Sequence, residues 1–394
     1  MLLIRLLKGR ITDMTDVSVV ACASYDEAEV TQALKSVLKP LGGLDWVKKG
    51  MRIAIKANLV SMMKPELAAT THPALLCALV KMLCERGAEP IIGDSPGGLY
   101  NAAVVNRIYN VTGMKQAEAV GATLNQDFGS CEVSFPDAMV AHQFTYTSYL
   151  DHVDAIIDFC KLKTHGMMGM SAAVKNMFGV VPGTFKPEYH FRYPDHRDFA
   201  KMLIDLNSYF APKVRLCIVD AVIGMEGNGP TQGTPRHLGA LLASVSPHPL
   251  DLLCAKLIGL TPQDVPTLEV AVECGLIPPS AEQLNVSGDP ALFCVSDFQN
   301  IHVRRSLQFE GRGKFAAAFV RSALRAEPRP DKKLCISCKK CAEICPAHVI
   351  KMKNGIPVID KSRCITCFCC QEFCPVGAMK VHRPWIAQII NRTK

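Results

Sequence analysis

The chain reads CISCKKCAEICP over residues 335–346 and CITCFCCQEFCP over residues 364–375. Both copies have the spacing C-x2-C-x2-C-x3-C-P, which is typical of domains that hold two [4Fe–4S] clusters. In this pattern three closely spaced thiolates hold one cluster, and the fourth cysteine ligates the other cluster. The proline after the fourth cysteine has a fixed φ, which turns the chain at that point.

The spacing assigns four thiolates to each of two clusters. The first cluster is expected on Cys335, Cys338, Cys341 and Cys374, and the second on Cys364, Cys367, Cys370 and Cys345. Cys369 lies outside this register, so we interpret it as a thiol that binds no cluster. A zinc ribbon needs two CxxC pairs per metal, and disulfide frameworks belong to small secreted domains, so neither explains the doubled pattern.

The composition predicts a globular protein of two or three domains, because the chain has 394 residues, of which 49% are apolar and 20% charged. No stretch approaches the roughly 18 apolar residues of a membrane span. The first ten residues lack the long apolar core and cleavage site of a signal peptide. We therefore expect a soluble, cytoplasmic protein, and its eighteen cysteines then indicate a reducing compartment.

The net charge of +8 is concentrated in residues 331–394, which contain twelve Lys/Arg and four Asp/Glu. Part of this excess compensates the anionic clusters. The remainder is expected to steer an acidic redox partner, a ferredoxin-like donor or acceptor. No nucleic-acid-binding motif accompanies the basic residues, so nucleic acid is not an expected partner.

Strand-like and helix-like segments alternate before the cysteine motifs. Strands are predicted at 17–23, 51–56, 89–94, 153–160 and 214–220, and helices at 25–38, 73–86, 171–178 and 250–260. This alternation predicts an α/β fold with a mainly parallel sheet, followed by a small α+β bacterial-ferredoxin-like domain. The predicted segments are an N-terminal extension (1–16), the α/β domain (17–300), a basic helical linker (301–330), the ferredoxin-type domain (331–383) and a tail (384–394).

Four predicted strand ends carry polar or glycine-rich sequence, at residues 56–58, 93–98, 161–166 and 220–233. Ligands of open α/β sheets bind outside the carboxyl ends of the strands, so we expect these segments to form one pocket. The catalytic candidates are Lys161, Lys163, His165 and Lys175. The binding candidates are Lys56, Asn58, Asp94, Ser95, Asn176, Asp220, Glu226 and Gly229.

The candidate residues suggest several roles. Lys161 and Lys163 would bind an anionic group or, if desolvated, transfer a proton, and His165 would act as a general acid. Ser171 is expected to cap a helix that carries Lys175 and could bind an anion at its N-terminus. The methionines nearby are expected to pack rather than to react.

The glycine-dense stretch 224–233 is expected to be a tight loop. Its spacing differs from a dinucleotide-binding fingerprint, and Pro230 removes an amide that a phosphate would need. Asp220 and Glu226 could act as acids or metal ligands, with Arg236 and His237 following within reach. A flavin or an additional metal remains open, but no motif indicates one.

Five strings in this order resemble the domain of unknown function 362 family over roughly residues 17–300. They lie at 56–58, 93–98, 161–165, 173–179 and 225–230. Members of that family often carry a similar two-cluster ferredoxin module at the C-terminus. The resemblance implies one shared pocket in a redox setting and no particular substrate.

Three functional hypotheses follow. The first is an iron–sulfur oxidoreductase in which two clusters pass electrons to a substrate or second cofactor in the α/β pocket. The second is a ferredoxin-like electron carrier without chemistry of its own. The third is a non-redox α/β protein with structural clusters. Substitution of Lys163 or His165 would separate the first from the second, and reversible reduction by dithionite would argue against the third.

Overall fold

The computed structural model describes residues 15–301, 326–382 and 384. Most of the predicted N-terminal extension, the greater part of the basic linker and most of the tail lie outside these residues. Within the described ranges, no helix is long and apolar enough to cross a membrane.

One sheet organises residues 15–301, and within that range it has nine strands. The strands in chain order, including those of a separate hairpin, are β1 (Val17–Ala21), β2 (Arg52–Ala57), β3 (Glu89–Gly93), β4 (Thr123–Leu124), β5 (Ser130–Ser134), β6 (Gln143–Thr147), β7 (Ala155–His165), β8 (Gly169–Ser171), β9 (Val214–Glu226), β10 (Thr234–Ser244) and β11 (Val286–Ser287). The order across the sheet is β11-β1-β10-β9-β7-β2-β3-β4, β8 pairs with β7, and β5 and β6 form the separate hairpin.

The sheet is mainly parallel, as the alternating sequence pattern predicts. Strands β9, β7, β2, β3 and β4 run parallel to one another, whereas β10 is antiparallel to both β9 and β1. The predicted α/β fold class is therefore confirmed. The parallel strands point their carboxyl ends to one edge, which is where ligand sites of such sheets lie.

Helices cover both faces of the sheet. They are α1 (Glu27–Leu38), α2 (Pro73–Glu85), α3 (Ala102–Val111), α4 (Ala173–Asn176), α5 (Lys186–Arg192), α6 (His196–Phe210), α7 (Pro247–Leu257) and α8 (Pro266–Glu273). Alternate strand residues face opposite layers. Thus Ile53 and Ile157 pack with α1–α3, whereas Ala54 and Ile156 pack with α4 and α6–α8.

Two strands are longer than the sequence predicts. β7 continues beyond Cys160 to His165, and β9 continues beyond Asp220 to Glu226, so that Lys161 pairs with Asp220 and Lys163 with Met225 in register. In the sequence, the charged residues Lys161 and Asp220 indicated that these two strands end there. The strands continue because the buried ammonium groups find acceptors inside the protein. The predicted loop at 224–233 shrinks accordingly to the residues after Glu226.

The predicted helix at 171–178 is also different. Ser171 ends β8, and α4 spans only four residues before a 3-10 turn at Met177–Val180. The prediction that Ser171 caps this helix was wrong. The carboxylate of Asp251 in α7 accepts the amides of Ala173 (2.7 Å) and Val174 (3.1 Å) instead. Since that carboxylate already occupies the helix N-terminus, the amides of Ala173 and Val174 are not free for the predicted anion site.

The C-terminal region forms two small antiparallel ladders and two short helices. Its elements are β12 (Glu327–Pro330), α9 (Lys340–Glu343), β13 (Ile350–Lys353), β14 (Ile356–Ile359), α10 (Cys369–Glu372) and β15 (Met379–His382). β12 pairs with β15, and β13 pairs with β14. Residues 327–330, which the sequence places in the linker, therefore form part of the ferredoxin-like module. Lys339 and Phe368 precede the two helices with positive φ of 64° and 62°, so the cysteine motifs repeat one local geometry.

Candidate functional site

Two cavities in the C-terminal module are lined by the two predicted sets of cysteines. One is lined by Cys335, Cys338, Cys341 and Cys374. The other is lined by Cys345, Cys364, Cys367 and Cys370. In each set, one cysteine comes from the other motif, which is the exchange expected for two interleaved cubane clusters. The residues present therefore fit two [4Fe–4S] clusters.

The remaining features of the module agree with this fit. Cys369 is buried and belongs to neither cavity lining. Among the described residues, no group of three His, Cys, Asp or Glu side chains converges on the position of a single metal ion. The first set includes the exposed Cys338, whereas Cys367 and Cys370 of the second set are buried. The two cavities thus differ in their access to solvent.

A buried ion pair joins two strand ends at the carboxyl edge of the sheet. Lys56 Nζ lies 2.7 Å from Asp94 Oδ1, and the exposed fractions of their side chains are 0% and 5%. The other oxygen of Asp94 accepts the amide of Leu59 at 2.8 Å. Gly179 permits this arrangement, because a Cβ at that position would lie 2.0 Å from Asp94 Oδ1 and 2.5 Å from Lys56 Nζ.

Asn58, Asn176 and Lys163 form a hydrogen-bond network beside the ion pair. Lys163 Nζ donates to Asn58 Oδ1 (2.8 Å) and to the carbonyl of Ala69 (2.6 Å). Asn58 Nδ2 donates in turn to Asn176 Oδ1 at 2.8 Å, and Asn176 Nδ2 donates to Asp158 Oδ1 at 2.5 Å. Burial raises the pKa of Asp158 to about 7, against the opposing effect of nearby Lys56.

Three amines lie close together in this region, and we refer to Lys163, Lys175 and Lys186 as the lysine cluster. Burial lowers the pKa of Lys163 and of Lys186 to about 7, and it lowers the pKa of Lys175 as well. The negative charges of Asp94 and Glu372 oppose this effect at all three residues. The cluster is therefore a site of concentrated positive charge that few carboxylates offset.

Lys175 and Lys186 contact the same aromatic ring. Their amines lie 4.5 and 5.6 Å from the centroid of Phe178. Lys186 also donates to the carbonyl of Ser95, whose hydroxyl accepts the amide of Gly183 at 2.7 Å. Lys175 has no hydrogen-bond acceptor or ion-pair partner within residues 15–301, 326–382 and 384.

His165 faces the ferredoxin-like module. Its Nδ1 accepts the amides of Met167 (3.1 Å) and Met168 (3.3 Å), so the proton of the neutral ring lies on Nε2. Nε2 lies 3.3 Å from Glu372 Oε1, which forms no aligned hydrogen bond within the part of the chain that the structure describes. Burial and the positive charges of Lys175 and Lys163 hold the pKa of His165 well below its ordinary value.

The second cysteine motif packs directly against this edge of the sheet. The fully buried Gln371 donates to the carbonyl of Asn228 at 2.9 Å, and Thr231 donates to the carbonyl of Glu372 at 3.2 Å. The ring of Phe373 fills the space above Gly97, where a Cβ would lie 2.1 Å from Phe373 Cζ. The glycine-rich loop after β9 therefore contacts the cluster-binding module.

Lys161 and Asp220, both predicted to belong to the pocket, form a separate saturated network. Lys161 Nζ lies 2.6 Å from Asp220 Oδ2 and donates to Tyr25 Oη (2.9 Å) and to the carbonyl of Ile223 (3.0 Å). These contacts occupy the three donors of an ammonium group. Because no donor remains for a ligand, the geometry favours a structural role for Lys161 over the predicted catalytic one.

Two further candidates and their neighbours also hold loops in place. Glu226 Oε2 accepts the amide of Gln299 at 3.0 Å, and Arg236 pairs with Asp297 near the surface. A Cβ at Gly229 would lie 2.2 Å from the carbonyl oxygen of Thr164, so this glycine permits close packing on the end of β7. Neither Glu226 nor Gly229 contacts the lysine cluster.

Sequence reasoning missed Glu372, Gln371, Lys186 and His190. The motifs contained a signal for the first two. Where the first motif has Lys339, Lys340 and Ile344, the second has Phe368, Cys369 and Phe373. Both lysines of the first motif are thus replaced by apolar residues in the second, and the isoleucine by an aromatic one, which indicates a buried face. Lys186 and His190 had no comparable signal.

Comparisons with known proteins place the chain in a family. A family model for the domain of unknown function DUF362 matches residues 53–256, and one for a 4Fe-4S dicluster domain matches residues 334–378. The chain therefore belongs to the DUF362 family and carries a 4Fe-4S dicluster domain, as the resemblance in its sequence predicted. The family match covers less than the 17–300 that the motifs suggested.

One curated relative and two solved structures are similar to this chain. A thylakoid-associated protein of Synechocystis sp. is 31% identical over 269 residues, which are 68% of this chain and 81% of that protein. A structural-genomics protein of Thermotoga maritima has 14% identity and a TM-score of 0.35, with 56% of each chain covered. The lactate racemase apoprotein of Thermoanaerobacterium thermosaccharolyticum has 13% identity and a TM-score of 0.38, with 64% of this chain and 58% of that one covered. The chain thus spans less than two thirds of either solved structure.

Proposed function

We propose that the protein is an iron–sulfur oxidoreductase that passes electrons through two [4Fe–4S] clusters to a substrate or second cofactor beside the lysine cluster. The observation that carries this proposal is the position of α10. This helix contains the expected ligand Cys370 and also Glu372, which lies 3.3 Å from His165 at the edge of the sheet. If the module were joined to the α/β region for support alone, their contact would not require a carboxylate facing a histidine.

The chain's own residues have distinct roles in this proposal. The lysine cluster binds and orients the substrate, and the neutral ring of His165 presents its Nε2–H as a hydrogen-bond donor beside it. The Lys56–Asp94 pair and Asn176 fix the strand ends beside these groups. The packing of Gln371 and Phe373 excludes water from one side of the site.

Electron uptake from a redox partner is expected at the opposite end of the module. There Cys338, Lys339 and Lys340 are exposed, together with Ile336 at 60% of its full area. An apolar residue ringed by lysines suits an acidic, ferredoxin-like partner. The same exposure is the observation that favours the second candidate function, a ferredoxin-like carrier.

A cytoplasmic, reducing location forms part of the proposal. All eighteen cysteines lie among the described residues, and none of them forms a disulfide. Eight of them are the expected cluster ligands, and the other ten are then free thiols, a number that belongs to a reducing compartment.

The testing experiment begins with protein purified without oxygen. We expect roughly eight irons per chain, from two four-iron clusters, with matching sulfide and reversible bleaching by dithionite. The cofactors released on denaturation then report whether a flavin or further metal is present. Iron replaced by zinc, or clusters that dithionite does not reduce, would contradict the redox proposal.

A substitution separates the oxidoreductase from the carrier. His165→Gln should abolish turnover of a substrate while leaving electron transfer to an external acceptor unchanged. Turnover that stays at the wild-type rate would remove His165 from the chemistry, whereas electron transfer to the acceptor without any substrate turnover by the wild-type protein would favour the carrier function.

A further inference from the structure

The lysine cluster contains more positive charge than its surroundings offset. The two nearby carboxylates are Asp94 and Glu372, which reduce the effect of burial on all three amines. Asp94 is already committed, because it pairs with Lys56 at 2.7 Å and accepts the amide of Leu59. Of these two carboxylates, only Glu372 remains for three amines. Buried positive charges without a counter-ion are unfavourable, so this arrangement suits an anionic ligand.

Unused hydrogen-bond donors point to the same conclusion. An ammonium group has three N–H donors. Lys163 uses two of them on Asn58 and Ala69, Lys186 donates to Ser95, and Lys175 has no acceptor within the described ranges of the chain. Lys175 and Lys186 are half-buried whereas Lys163 is buried, so the cluster lies between the protein interior and its surface.

His190 provides an independent observation. Its side chain stacks on Phe199 with a centroid distance of 4.5 Å, and the residue is 4% exposed. Its Nδ1 is buried and has no hydrogen-bond partner among the described residues. The same ring packs edge-on against Phe178 with a centroid distance of 5.6 Å, and the amines of Lys175 and Lys186 lie over Phe178, so His190 stands beside the cluster. An unpartnered ring nitrogen next to unused ammonium donors indicates a bound group that forms hydrogen bonds with both.

We propose that Lys163, Lys175 and Lys186 bind an oxyanion, a carboxylate or phosphate group of the substrate, with His190 as an additional donor. The inference deepens the proposed function and rests on it, since it names the class of substrate for the same site. A carboxylate and a phosphate share the chemistry that the cluster recognises, which is negative charge spread over several oxygen atoms.

The experiment measures anion binding to the full-length holoprotein by calorimetry without oxygen. Inorganic phosphate and malonate are titrated separately at pH 6.5 in a cationic buffer, so that no buffer anion competes. We expect saturable binding of at least one of them to the wild-type protein. Binding of phosphate alone identifies a phosphate site, and binding of malonate alone identifies a carboxylate site. Binding of both identifies a site that recognises negative charge on either kind of group.

Variants assign the binding to the cluster. Lys175→Met and Lys186→Met should each weaken binding about tenfold or more, because each removes a charged partner of the ligand. Lys175→Arg should keep most of the affinity, which also shows that position 175 tolerates substitution. Lys115→Met, which removes an exposed lysine elsewhere, is the matched control and should bind as the wild type does.

Two results would overturn the inference: no binding of either anion to the wild-type protein, or equal affinities in both methionine variants and the control. Reduction by dithionite in the same samples tests the redox function separately. Reducible clusters without anion binding would remove only the substrate class. Anion binding beside clusters that do not reduce would remove the redox function and keep the anion site.

Discussion

Glu372 and His165 face each other across the contact between the cysteine module and the sheet, with 3.3 Å between the carboxylate oxygen and Nε2. Glu343 occupies the same position in the first motif, two residues before the fourth cysteine, and is exposed. The two glutamates therefore occupy equivalent positions with the same local geometry but different surroundings. Substituting each in turn measures, within one chain, how burial changes the effect of a carboxylate on its cluster.

Glu372→Gln should raise the reduction potential of one cluster more than Glu343→Gln does. Removing a negative charge favours the reduced, more negative cluster, and the effect is larger where the charge is buried and less screened. A redox titration followed by electron paramagnetic resonance measures both shifts. Equal shifts in the two variants would show that the contact with the sheet does not affect the clusters.

Lys56→Met should destabilise the α/β region by about 3–5 kcal/mol, because it leaves the Asp94 carboxylate buried without its partner. Lys56→Met combined with Asp94→Asn should recover a large part of that loss. Urea unfolding followed by far-UV circular dichroism provides the comparison. A double variant that is as unstable as the sum of the two single variants would indicate that the pair is not coupled.

Anion binding should weaken as the pH rises through about 7. Lys163 and Lys186 lose their protons there because burial lowers their pKa values to about 7. The positive charges of Lys56, Lys161 and Lys175 add to this lowering, and the negative charges of Asp94 and Glu372 oppose it. Calorimetric titrations of malonate from about pH 6.5 to 9 test this, because phosphate changes its own charge near pH 7. Constant affinity over that range would show that the two lysines keep their protons.

The same lowered pKa values predict how stability depends on pH in the absence of an anion. Between about pH 7 and the ordinary lysine range, the unfolded chain binds more protons than the folded one, so the free energy of unfolding should rise with pH from these two groups. The dependence should be smaller in Lys186→Met, measured by urea unfolding at pH 7 and 9.

Gly97→Ala should loosen the contact between the second motif and the sheet. The new Cβ would lie 2.1 Å from Phe373 Cζ, so the ring must move, at a cost of about 1–3 kcal/mol. Hydrogen exchange of residues 366–374 should therefore become faster. Gly97→Ala with Phe373→Leu should restore protection, and a failure to do so would mean that the ring is not the obstacle.

The sequence was sufficient for features that depend on local spacing. The cysteine intervals led to the two sets that line the cavities, and strand–helix alternation predicted the parallel sheet. The strand ends that carry Lys56, Asn58 and Asp94 also lie together, because parallel topology brings carboxyl ends to one edge.

Features that depend on distant partners were beyond such reasoning. Lys161 resembles a catalytic lysine in the sequence, and only the positions of Tyr25, Asp220 and Ile223 show that its donors are occupied. Ser171 is a good cap by composition, but Asp251 reaches the same amides from another helix. Glu372 gains its role only when the module packs against β7.

The unequal burial of the two cysteine sets has a consequence for biogenesis. Cys345, Cys367 and Cys370 are each at most 8% exposed, and α10 is covered by the loop after β9, whereas Cys338 is open to solvent. An iron–sulfur carrier can therefore reach the first set in the finished protein but the second only before the module closes. We expect maturation to be ordered, with the inner cofactor inserted during folding and the outer one replaceable afterwards.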